Sequence, residues 1–183
     1  MMGPRFVRAT LAFMLLLAAA PAFAGDDKPT AADRAAVADC LALAHQNLDN
    51  QSSSDEAAEA GGAGRLERAT KEAPSSAESC IGVIAEPCQS EPGGASTLGI
   101  AQCYDRETAV WDERLNQNYK QRLDDAEPAY RDALKKMQRA WIAYRDAKCG
   151  SISVGQEGSI SVPITASCLL GETARQAIFL EPE

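Results

Sequence analysis

Six cysteines, one histidine and a few clustered carboxylates are the side chains of this 183-residue sequence with chemistry to offer. Cys40, Cys80, Cys88, Cys103, Cys149 and Cys168 are even in number and widely spaced. That pattern predicts a disulfide framework rather than a zinc site, because zinc sites use close pairs such as Cys-x-x-Cys and the shortest spacing here runs from Cys80 to Cys88. Pairing between sequence neighbours is the favoured set: Cys40 with Cys80, Cys88 with Cys103 and Cys149 with Cys168. Crossed pairings stay open. The last of these bridges would close a loop of about twenty residues and stabilise by roughly 3 kcal/mol. Catalysis finds little support. His45 has no serine or cysteine arranged as a nucleophile, no Cys-x-x-Cys redox pair exists, and Asp124, Asp125 and Glu127 read as a solvated helix end rather than a glycosidase acid and nucleophile. The expectation is a binding protein, not an enzyme, with no cofactor and no metal.

Those cysteines need an oxidising compartment, and the start of the chain predicts export to one. Arg5 and Arg8 precede an apolar run from Leu11 to Ala20, and Ala22-Phe23-Ala24 is the small-x-small pattern of a cleavage site. The run is short for a membrane span. A signal peptide over residues 1–24 leaves a periplasmic or secreted chain with no membrane span. Cleavage removes two of the 18 basic residues and none of the 26 acidic ones, for a formal net charge of −10. Such a charge disfavours nucleic acid and anionic membranes and suits a cationic partner.

The elements that must position the cysteines are helical. Thr30 and Asp33 form a capping pattern for a helix over 31–49, with Val37, Cys40, Leu41, Ala44 and Leu48 on one face and a break at Asn50–Ser54. A weaker helical stretch covers Glu56 to Lys71, interrupted by a glycine hinge at 61–64. Ser75 and Glu78 open a short helix over 76–86, which Pro87 ends. Thr97 caps a long helix over 98–125, and Pro128 starts the next. There Tyr130, Leu134, Met137, Trp141 and Tyr144 form an apolar stripe opposite Arg131, Asp132, Lys135, Lys136 and Arg139. Gly150 to Val162 reads as a hairpin or an ordered loop, and Pro163 opens a last helix through Phe179. The fold class is all-α: a small disulfide-bonded helical bundle with a helical N-terminal extension over 25–87 and a main domain over 88–183.

From about Cys88 to Leu180 the chain resembles the lysozyme-inhibitor-like domain of the LprI type, found in exported bacterial proteins. The resemblance rests on Cys103 with an acidic helix after it, Leu115-Asn116 with Tyr119, and Gln138-Arg139-Ala140-Trp141. Tyr144-Arg145-Asp146 with Cys149, and Gly158-Ser159 before Cys168, Thr173 and Arg175, complete it. It implies a protein-binding module whose partner is a cationic lysozyme or another envelope protein. A structural or assembly role in the envelope with no enzyme target is the alternative.

Within that frame the bland roles come first. Trp141 and Tyr144 are expected to pack against Trp111 between two facing helices. Arg145, beside Asp146, is expected to join helices through Asp112, Glu113, Glu107 or Glu172, with Arg175 and Asn116 acting similarly. The residues proposed for contact with a partner are Ser151, Ser153, Gln156 and Ser159, on the segment bracketed by Cys149 and Cys168.

Overall fold

The computed structural model describes residues 29–59 and 74–182. Helix α1 spans Ala31–Glu59, a 3-10 turn Ala77–Cys80, α2 Ala85–Gln89, α3 Thr97–Asp125, α4 Pro128–Gly155 and α5 Ser161–Phe179. No strand occurs among the described residues, as the all-α expectation requires. The signal segment 1–24 and the glycine hinge at 61–64 lie outside them.

Helix α1 begins as its sequence predicts. The Thr30 backbone N–H and hydroxyl both donate to Asp33 Oδ2, at 2.9 and 2.8 Å, and the Asp33 N–H donates back to Thr30 Oγ1. It does not stop at Asn50–Ser54 as expected. That stretch contains neither glycine nor proline, so its weak helix formers cost only a few tenths of a kcal/mol each, and the Ser52 hydroxyl is satisfied by the Asp49 carbonyl. The short helix expected over 76–86 is two pieces. Ser76, not Ser75, caps the 3-10 turn, in a reciprocal arrangement with Ser79. Pro87 lies inside α2 rather than ending a helix, and tolerates that place because the first helical turn asks for no N–H there. Gly82 makes the joint with a φ of +108°.

Ser96, one residue before the predicted Thr97, caps α3 by accepting from the Gly99 N–H at 3.0 Å. A Cβ on Gly99 would collide with the Gly93 carbonyl, so the loop can fold back only onto a glycine. Pro128 is the first residue of α4, as expected. Gly150 to Val162 is neither hairpin strand nor simple loop: α4 continues to Gly155, a turn covers 156–160, and α5 starts at Ser161. Pro163 sits in the first turn of α5.

Helix α5 is the organising element. It packs along α3 and carries α4 on another side, while α3 and α4 meet only marginally. Trp111, fully buried, lies in a core with Val110, Leu115, Leu170, Ala174 and Leu180. Val37, Leu41 and Ala44 of α1, with Cys80, Ile84 and Ala85, belong to the same cluster. The sulfurs pair as Cys40–Cys80, Cys88–Cys103 and Cys149–Cys168. These are the neighbour pairings that spacing favours, and they suit an oxidising compartment.

The α4 stripe is buried in its middle and open at its ends. Leu134 is buried and Met137 and Trp141 border the core, but Tyr130 and Tyr144 are 52% and 53% exposed. The reason is that α4 rests on one helix, α5. Only the residues turned squarely toward it, Leu134, Gln138 and Cys149, are fully covered.

Candidate functional site: the α4–α5 hairpin tip and its flank

The end of the α4–α5 hairpin gathers several exposed apolar side chains within a short stretch. Val154 is 87% exposed, and Ile160, Val162 and Ile164 around the turn are each between 39% and 52% exposed. From Gly150 to Ile164 the only charged residue is Glu157. The Cys149–Cys168 bridge, with Cα atoms 5.6 Å apart, clamps the two helices at the base of this tip. Gly158, at φ +81°, reverses the chain, a backbone state that favours glycine.

The four residues proposed for partner contact divide between helix and turn. Ser151 and Ser153 are on α4, where their hydroxyls donate to the Lys148 and Gly150 carbonyls at 2.7 Å. Gln156 is the C-cap of α4, its backbone N–H bonded to Ile152 O at 2.9 Å. Ser159 is exposed in the turn. All four therefore sit on one tip, but the first two spend their donor on their own helix, as serine does there.

Ion pairing departs from expectation. Among the described residues Arg145 reaches no acid on another helix: its Nε and Nη2 donate to Asp146 Oδ1 at 2.9 and 2.8 Å, and its guanidinium lies 5.0 Å from the centre of the Trp141 ring. The adjacent carboxylate is closer than any on α3 or α5, so the fork closes locally. Arg175 pairs with Glu172 on its own helix at 3.2 Å, and the tie between helices comes from Lys148, whose Nζ donates to the same Glu172 oxygen at 2.7 Å. That hydrogen bond holds the Lys148 ammonium above its ordinary range. Asn116 bonds back to Asp112 within α3. The cross-helix role belongs to Asn118, which donates to the Ala177 carbonyl at 2.9 Å, and to Gln176, which donates to Gln138 at 2.9 Å.

The other acids expected to partner Arg145 are engaged elsewhere. Glu113 forms a bidentate pair with Arg34 of α1. Glu107 is fully buried and accepts from the Gly82, Ile84 and Ala85 backbone N–H groups at 2.7–2.9 Å and from Trp111 Nε1 at 3.0 Å. No sequence rule singled it out for that task. The available signal was its place three and four residues before Val110 and Trp111, in an otherwise apolar register. His45 is exposed and 3.7 Å from Glu181. Asp124 is held by Lys120, while Asp125 and Glu127 line a cavity of about 450 Å³ with Arg122, Tyr130 and Pro182 at the α3–α4 corner. No described helix is long and apolar enough to cross a membrane.

An uncharacterised protein of Rhizobium meliloti (strain 1021) is 31% identical over 113 residues, covering 53% of this chain and 81% of that protein. An uncharacterised 17.7 kDa protein encoded in the puhA 5′ region of Rhodobacter capsulatus is 25% identical over 117 residues, covering 56% and 72%. No solved structure matches. Residues 88–180, the stretch that holds α3, α4, α5 and two of the three bridges, match the family described as lysozyme inhibitor LprI, and the chain belongs to that family.

Proposed function

We propose that this chain is an exported, non-catalytic module that docks on a cationic cell-wall hydrolase of the lysozyme type and blocks its cleft with the α4–α5 tip. The observation that carries this reading is the tip itself: apolar, almost uncharged, exposed and clamped by a disulfide. A clamped tip loses little conformational entropy on binding, so more of its contact energy survives as affinity. Charge supports the same partner. Outside α4, which carries six basic and two acidic residues, the mature chain has a formal net charge of −14, which would steer a cationic enzyme. A tip with a single carboxylate, Glu157, brings little like charge to a cleft that is itself built around two carboxyl groups. Val154 and Ile160 supply the apolar contact, and Gln156 and Ser159 supply hydrogen bonds at the turn.

The test is turnover of a cell-wall suspension by a cationic lysozyme with the oxidised mature protein added at micromolar excess. Inhibition is expected at low salt and should weaken as ionic strength rises, because the steering is screened. Val154→Asp and Gln156→Ala should each relieve inhibition while leaving the circular dichroism spectrum unchanged. Unaltered turnover at low salt rejects the proposal for the enzyme tested.

A further inference from the structure

A second feature lies one turn below the tip, on the flank where α4 crosses α5. Tyr144 is more than half exposed, although the stripe it belongs to would bury it. Lys148 follows one helical turn later, with Nζ 5.5 Å from the centre of the Tyr144 ring. The same Nζ and Arg175 Nη1 converge on a single oxygen of Glu172. The Glu172 side chain is 11% exposed, while those of Lys148 and Arg175 are about half exposed. One carboxylate thus holds two cations, and the group keeps one net positive charge. Glu172 engages one N–H of each, so further ammonium and guanidinium donors remain. Packing explains Glu172 but leaves an open ring beside an unneutralised cation unexplained.

We infer that Tyr144, Lys148 and Arg175 form a binding site for a short saccharide that bears carboxylates. The electron-rich face of the tyrosine ring stacks on the C–H face of a sugar. The ammonium, on a flexible four-carbon stem, swings from the ring to the ligand's carboxylate, which Arg175 grips from the other side. Glu172 positions both cations without touching the ligand. An extended anionic surface such as a lipid bilayer suits the site less well, because a body of net charge −10 is repelled by it as a whole. A short oligosaccharide meets only the local positive field.

The protein carries its own reporter. Trp111 is fully buried, whereas Trp141, three residues before Tyr144, is only partly buried and is the tryptophan nearer the site in sequence. The experiment titrates the oxidised mature protein with a soluble cell-wall disaccharide-tetrapeptide and, separately, with neutral chitotetraose, following tryptophan emission and calorimetry. A saturable change is expected with the carboxylated fragment, and binding of the neutral sugar weaker by about tenfold or more. Tyr144→Ala and Lys148→Gln should each weaken the carboxylated ligand by a similar factor, and Lys148→Arg should largely retain it. The inference is overturned if millimolar fragment gives no saturable response, if the two sugars bind alike, or if both weakened variants bind as the wild type does. Binding to phosphatidylglycerol vesicles without binding to the fragment also overturns it. No hydrolase is present, so failure here leaves the inhibition test untouched.

Discussion

Glu107 shows how a charged side chain can be the most constrained residue in a small core. Its two oxygens accept from four N–H groups, and no salt bridge joins it to a cation among the described residues. Glu107→Gln keeps the size but replaces one acceptor by an NH2 group that must face donors, so it should destabilise by about 2–3 kcal/mol. Urea unfolding followed by Trp111 emission would register this as a lower midpoint, and an unchanged midpoint would mean the three backbone bonds are not formed. The residue scale is also where the sequence was hardest to read. Cysteine pairing was legible only in part: spacing favoured neighbours, but six cysteines allow fifteen pairings and crossed ones stayed open until the docked helices showed which sulfurs meet. Asn116 and Asn118 were not distinguishable, since two positions on a helix differ by about 200° in direction and only the docked partner decides which one faces it. Asn118 and Arg122, one turn apart, take up carbonyls at the C-terminal end of α5, at Ala177, Leu180 and Glu181. Helix ends leave such carbonyls unpaired.

At the level of elements, periodicity located α3, α4 and α5 and misjudged how α4 is covered. A stripe repeating every three or four residues says that one face is apolar, not that a neighbour spans its whole length. With α5 alone beneath it, α4 leaves Tyr130 and Tyr144 open, and its last turns become the tip. Replacing Cys149 and Cys168 together by serine should cost about 3 kcal/mol and should reduce inhibition further than stability alone explains, because the tip loses its clamp. Hydrogen exchange confined to 150–164 would check the second point. The docking of α1 has a pH signature. Burial works against the Asp33 carboxylate, but hydrogen bonds from Arg106 and Thr30 outweigh it and hold its carboxyl below the ordinary range. A group whose folded value is depressed stabilises the fold above its unfolded value and loses that contribution as pH falls through the folded one. Protection of the amides in residues 31–44, measured against their intrinsic exchange rates, should therefore fall in acid below about pH 4, and Asp33→Asn should flatten that dependence.

For the whole molecule, composition separates two regions that packing joins. Helix α1 contains six acids and one arginine, whereas α4 carries six bases and two acids. The two do not touch, and α3 and α5 lie between them in the chain of contacts. The family match begins only at residue 88, yet Val37, Leu41 and Ala44 cover the same core as Trp111, and the N–H groups that satisfy Glu107 come from residues 82, 84 and 85. Removing residues 25–87 would uncover apolar surface worth roughly 25 cal/mol per Å² and strand a carboxylate in what remained of the interior, a loss of several kcal/mol. Small domains have only about 5–15 kcal/mol to lose. A fragment of residues 88–183 should therefore keep much of its far-ultraviolet helix signal but lose its near-ultraviolet spectrum and bind a hydrophobic dye. If that fragment instead unfolded cooperatively with sharp side-chain signals, α1 would be an accessory to the bundle, and the shared core would contribute far less than its buried residues imply.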